Sequence, residues 1–230
     1  MTDTFFAEGI IRILFVVVIV AAAYIISTRN LLSLVSVYAL QSLTLVGIAL
    51  ALWSVEGTTV LLAIAIITFA TKVLIIPYFI ATIQEKIRIK RDIEFHYLNP
   101  TSTLILSMAL MLVVYIALSR IIPATSAKPS LFFFGAVIGI SLMLMGMMVT
   151  FSRKRAITKV IGYLSMENGV LIFGMFVTQL PFIIEFLIII DLIILVLLTT
   201  ILSVGIDSTL EEYHNRLHRF YLWEEQEDLS

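Results

Sequence analysis

The chain has 230 residues, 60% of them apolar and only 13% charged, with a mean hydropathy of +1.08. A soluble domain carries about 25% charged and 45–50% apolar residues, so this composition excludes an ordinary soluble protein and points to the helical class of integral membrane proteins. A formal net charge of −1 gives no reason to expect nucleic acid as a partner, and the absence of cysteine excludes disulfides, haem-attachment motifs and iron–sulfur ligation by this chain.

The first residues, MTDTFFAEG, carry two acids and no base, and the apolar run behind them is too long for a signal-peptide core. They predict a retained first span over 9–27. A second span is expected over 31–53, with Ser33, Ser36, Tyr38, Gln41, Ser42 and Thr44 inside it. Tyr38, Gln41 and Ser42 fall on one side, where they would serve as interhelical hydrogen-bonding glue or line a wet cavity. The third span, over 58–83, contains ITFATKVLIIPYF. Thr68 and Lys72 share a face at i, i+4, and Thr71 is adjacent. Pro77 removes a hydrogen bond to the carbonyl of Val73 and predicts a bend just past Lys72, which would either open room for water or pack as a plain kink.

After a polar 84–100 loop, a fourth span is expected over 102–122 and a fifth over 131–151. Gly135, Gly139 and Gly146 lie on nearly one line of the fifth span, a close-packing face without chemistry of its own. The sixth span, 156–179, reads VIGYLSMENGVLIFGMF at its centre. Gly162, Ser165 and Gly169 make a second small-residue line there, and Glu167 stands about 140° away from it. The seventh span, 182–206, holds Glu185 and Asp191, six residues and about 240° apart. A polar tail follows from Asp207; Leu210, Tyr213, Leu217 and Phe220 would line one side of a surface helix, and a solvated end is the alternative. His214 and His218 in this tail are too few to hold zinc. No metal site, cofactor motif, phosphate-binding loop or nucleophile triad is present in the sequence.

The expected fold is therefore an all-α bundle of about seven transmembrane helices. Eleven Lys and Arg residues collect on one side of such a bundle (Arg29; Lys86, Arg88, Lys90 and Arg91; Arg153, Lys154, Arg155 and Lys159; Arg216 and Arg219), and Arg12, Arg120 and Lys128 on the other. This asymmetry predicts an external N-terminus and a cytoplasmic C-terminus.

Four ionisable residues fall inside spans: Lys72, Glu167, Glu185 and Asp191. Lys72, Glu167 and Asp191 lie near the middle of theirs, where a charge costs about 2.5–3.5 kcal/mol on insertion scales. Burial disfavours the charged form of acids and lysine alike, so such groups can exchange protons near neutral pH and relay them through water. The blander reading is a buried salt bridge from Lys72 to Glu167 or Asp191 that pins helices together. Three acids facing one lysine argue against neutralisation as the whole story; Glu185, about one turn from the outer end, has the further option of reaching the interface.

The segments RKRAITKVIGYLSMENGVLIFG, QLPFIIEFLIIIDLIIL and DSTLEEYHNRLH, with VYALQS and ATKVLIIP, resemble hydrogenase-4 component E, a membrane subunit of formate hydrogenlyase-type and related energy-converting hydrogenases. The part 131–206 resembles NuoK of respiratory complex I and MrpC of cation/proton antiporters, which divides the chain into an N-terminal four-helix part (1–130), a NuoK/MrpC-like three-helix part (131–206) and a cytoplasmic tail (207–230). By position Glu167 matches the first carboxylate of that family, and either Glu185 or Asp191 the second. The resemblance implies a membrane-arm subunit in the prokaryotic cell membrane, helping to move protons or sodium beside antiporter-like subunits. Peripheral hydrogenase-type subunits would carry the redox centres. A stand-alone secondary transporter lacks the matched broken helices it would need, and a retinal protein would want a lysine in the last span. A structural scaffold of the same membrane arm remains the main rival.

Overall fold

The computed structural model describes residues 2–87, 99–121, 131–153, 156–177, 189–194, 196–197 and 200. Glu185, the loop after Ile87, the polar tail and its two histidines lie outside the described residues. No β-strand occurs among the described residues. The elements are α1 (Thr2–Ser27), α2 (Leu31–Glu56), α3 (Thr59–Thr68), a π-helical segment (Phe69–Ile75), α4 (Ile76–Ile87), α5 (Pro100–Ile121), α6 (Leu131–Ser152) and α7 (Ala156–Val177). A further helical stretch covers 189–194.

Five of the described helical segments are long and apolar enough to cross a bilayer: Phe6–Ser27, Leu31–Glu56, Thr59–Thr82, Pro100–Ile121 and Leu131–Ser152. With helices the only open-chain way to satisfy every backbone group in hydrocarbon, the protein is an all-α membrane protein. Helix α7 matches α5 and α6 at 22 residues and carries the polar pair Glu167 and Asn168 at its middle. Helix α1 starts at Thr2, seven residues before the apolar run that marks it in the sequence. Intrahelical hydrogen bonds continue past the edge of the apolar stretch, because helix propagation does not depend on hydropathy.

The connections have local causes. Asn30 starts α2: its Oδ1 accepts a hydrogen bond from the backbone N–H of Leu32 at 3.2 Å, capping the helix. Gly57 adopts φ 67°, a left-handed conformation that suits glycine, and its N–H closes α2 on the Trp53 carbonyl at 2.8 Å. The α1–α2 and α2–α3 turns are therefore short, and consecutive helices pack side by side.

Helix α7 packs on α6 along one face and on α2 along another. The α6–α7 seam is built from the small residues expected of it. A Cβ at Gly139 would lie 2.6 Å from the backbone nitrogen of Phe173, and one at Gly162 would lie 2.7 Å from that of Thr150. A Cβ on Gly146 would collide with the backbone of Met166, and one on Gly169 with that of Met143. The two backbones approach closely enough that only glycine fits. One apolar cluster, including Ile25, Leu34, Tyr38, Ile64, Leu142, Leu164 and Ile194, runs through both halves of the chain. Helix α5 sits at its margin, with Thr103, Ser107 and Val114 as its buried residues.

Arg153 shows how tertiary contact reassigns a residue. Sequence counting groups it with the bases of a short loop. In the structure it is 1% exposed, and its Nη2 donates to the carbonyls of Ile25, Ile26 and Thr28 at 3.1, 3.0 and 2.7 Å. A guanidinium there satisfies carbonyls that the end of α1 leaves free, and its charge complements the negative end of the helix dipole.

Candidate functional site

The site begins with an irregularity in the third membrane helix. Between α3 and α4 the backbone widens to π-helical over Phe69–Ile75, and the N–H of Ile76 reaches the carbonyl of Thr71. The sequence predicts a proline kink at this place; the structure spreads the disturbance over a π-helical segment on the N-terminal side of Pro77. Proline supplies no N–H, so shifting the hydrogen-bond register by one residue ahead of it accommodates the missing donor. Lys72 lies at the centre of the segment and is fully buried.

The wider turn lets two consecutive side chains serve one cluster. Lys72 Nζ is 2.9 Å from Glu167 Oε1 on α7 and 4.0 Å from Asp191 Oδ1 on the 189–194 stretch. Lys72 also donates to Asn168 Oδ1 at 3.4 Å. Thr71 Oγ1 donates to Asp191 Oδ2 at 2.7 Å, and it also lies 2.9 Å from the carbonyl of Ile67. A hydroxyl has a single proton, so these two acceptors share it.

Asn168 extends the cluster to α2. Its Nδ2 donates to Gln41 Oε1 and Ser42 Oγ, each at 3.2 Å. Tyr38, one turn earlier on α2, is fully buried and close enough to interact with Ser42 and with both carboxylates. Lys72, Gln41, Ser42 and Asn168 are 0% exposed, Glu167 2% and Asp191 3%. The burial decides the electrostatics, because solvent does not screen a cluster this deep and like charges within it repel at low effective dielectric.

Many polar atoms of the cluster have no hydrogen-bonded partner among the described residues: Tyr38 OH, Gln41 Nε2, Thr68 Oγ1, both Glu167 oxygens and Asp191 Oδ1. Of these atoms, Glu167 Oε1 is held in the 2.9 Å ion pair with Lys72. Elsewhere among the described side chains the one such buried atom is Ser141 Oγ on α6. A concentration of orphaned groups at one spot is what a hydrated or ion-exchanging centre presents, since buried polar groups are otherwise almost always paired.

The residues singled out in the sequence thus meet at one point as far as the described chain allows. Lys72, Glu167 and Asp191 come together, and Thr68 and Thr71 flank them. Gln41 and Ser42 act as glue between α2 and α7, and with Tyr38 they form the edge of the polar cluster. Asn168 joins the two parts, a role that spacing along one helix does not reveal. Its signal was its place: an amide beside a carboxylate in an apolar run. No group of three or more histidine, aspartate or glutamate side chains among the described residues is arranged to hold a metal ion.

Comparison with protein-family models, with curated proteins and with solved structures gives no match. The fold therefore defines the class, an all-α membrane protein with a buried charged cluster, and the cluster carries the functional argument.

Proposed function

We propose that the chain takes part in moving protons or cations across the membrane as a membrane-arm subunit of a multi-subunit respiratory-type oxidoreductase, of the group 4 hydrogenase or formate hydrogenlyase kind. In this reading it spans the prokaryotic cell membrane seven times, with the N-terminus outside and the C-terminus in the cytoplasm. Antiporter-like subunits are its neighbours, and peripheral hydrogenase-type subunits carry the redox centres. Glu167 is the central exchanging group, Asp191 or Glu185 the next station, and Lys72 the charge that biases them.

One observation carries this reading. Two buried carboxylates converge on one buried ammonium, which can neutralise only one of them. A static salt bridge needs one acid; the second requires a proton or a cation that can come and go. The position of the cluster near the middle of α7 and of the third membrane helix also suits a relay at the bilayer midplane.

The test is Glu167→Gln in the native complex. Assembly is expected to stay largely intact while coupled ion translocation falls by about 10²-fold, the low end of what a positioned proton-transfer group contributes. A variant that assembles and translocates ions like the wild type overturns the proposal and leaves the scaffold role, which the close Lys72–Glu167 pair and the glycine seam of α6–α7 favour.

A further inference from the structure

We infer that Lys72 is a tethered cation: its ammonium fills the monovalent-cation position of this cluster and keeps sodium out, so that the exchangeable ion is the proton. The inference names the ion for the reading given under Proposed function and rests on that reading for its meaning. Its test reads ion binding to the chain and not coupled turnover, so either can fail alone.

Lys72 Nζ lies among oxygen atoms of the kind that hold cations. Oxygen atoms approach from Glu167 Oε1 at 2.9 Å, Asn168 Oδ1 at 3.4 Å and Asp191 Oδ1 at 4.0 Å. Two of the three belong to carboxylates and the third to an amide, the donor types that hard cations take from proteins. Thr71 Oγ1 is already bonded to the other oxygen of Asp191, and Thr68 Oγ1, one turn before Lys72, is buried with no hydrogen-bonded partner among the described residues. An oxygen-rich pocket lined by two carboxylates would attract sodium if its centre were empty. The centre is taken by a charge on a covalent stem, and the π-helical segment sets that stem from the third membrane helix against α7. A proton can still be accommodated, because Glu167 Oε2 has no hydrogen-bonded partner among the described residues and a proton needs no cavity of its own.

The experiment is thermal melting of the full chain in detergent, in sodium chloride against choline chloride at equal ionic strength. Wild type is expected to melt at the same temperature in both. Lys72→Met, which removes the ammonium and keeps the stem, is expected to gain a saturable sodium dependence. The rise should be about 3–5 °C at a sodium concentration tenfold above the dissociation constant. Adding Asp191→Asn should abolish that rise. Lys72→Gln gives the same reading if the methionine variant does not fold. The assignment is overturned if Lys72→Met and Lys72→Gln both melt cooperatively with no difference between sodium and choline. The wild-type arm stands by itself, since a saturable sodium shift there overturns the assignment whether or not the variants fold.

Discussion

The two faces of α7 solve opposite problems. Towards α6, Gly162 and Gly169 bring backbone against backbone, with no room for a single added carbon. Towards α2 and the third membrane helix, Glu167 and Asn168 face a lysine, a second carboxylate and a set of polar atoms with incomplete hydrogen bonding. The first face is saturated and gains its stability from dispersion contacts at close approach, the source of helix association where lipid is as apolar as the side chains. The second face is unsaturated and costs free energy to hold together. The contrast teaches that the glycine seam fixes α7, and a fixed α7 can then present charges that would not assemble a bundle by themselves.

Substitutions on the two faces should separate these roles. The largest effect is expected at the seam. Gly146→Leu drives a side chain into the backbone of Met166 and should cost about 3 kcal/mol or more, seen as loss of a cooperative melt of the purified chain. Gly9→Ala, where an added carbon meets nothing within 4 Å, should leave the melt unchanged or slightly raised and serves as the control. On the polar face, Lys72→Met in sodium-free medium strands two carboxylates in the interior and should cost about 3–5 kcal/mol. Combining it with Glu167→Gln should recover part of that loss, and strict additivity in the double-mutant cycle would break the picture of a shared charge cluster. Asn168→Ala should cost less than Lys72→Met, about 1–2 kcal/mol, by removing the donor that joins Gln41 and Ser42 to α7. Chemical denaturation of that variant is the measurement, and an unchanged stability would mean that α2 and α7 are held by apolar packing alone.

Much of this protein is written in its hydropathy. Unbroken apolar runs of about 20 residues leave the chain no alternative to membrane helices, and their ends follow from single residues such as Asn30 and Gly57 that cap or turn the chain locally. The glycine lines of α6 and α7 were also legible, because a small residue every third or fourth position has one physical use in a membrane helix. The ionisable residues were visible one by one, since nothing else in such a run costs as much. Their meeting was legible only as one of two readings, a salt bridge from Lys72 to Glu167 or to Asp191. Lys72 and Glu167 are almost a hundred positions apart, and no pattern within either helix says that both acids gather on the one ammonium. The π-helical segment was masked by its own cause: Pro77 announces a disturbance, but whether the chain kinks or shifts its hydrogen-bond register depends on which neighbours the widened turn can reach. Arg153 was hidden in the same way, a loop base by sequence and a buried helix cap by structure. Local composition determined what must be helical and where charge is expensive. Tertiary packing alone decided which charges stand together, because that choice is made between helices and not along them.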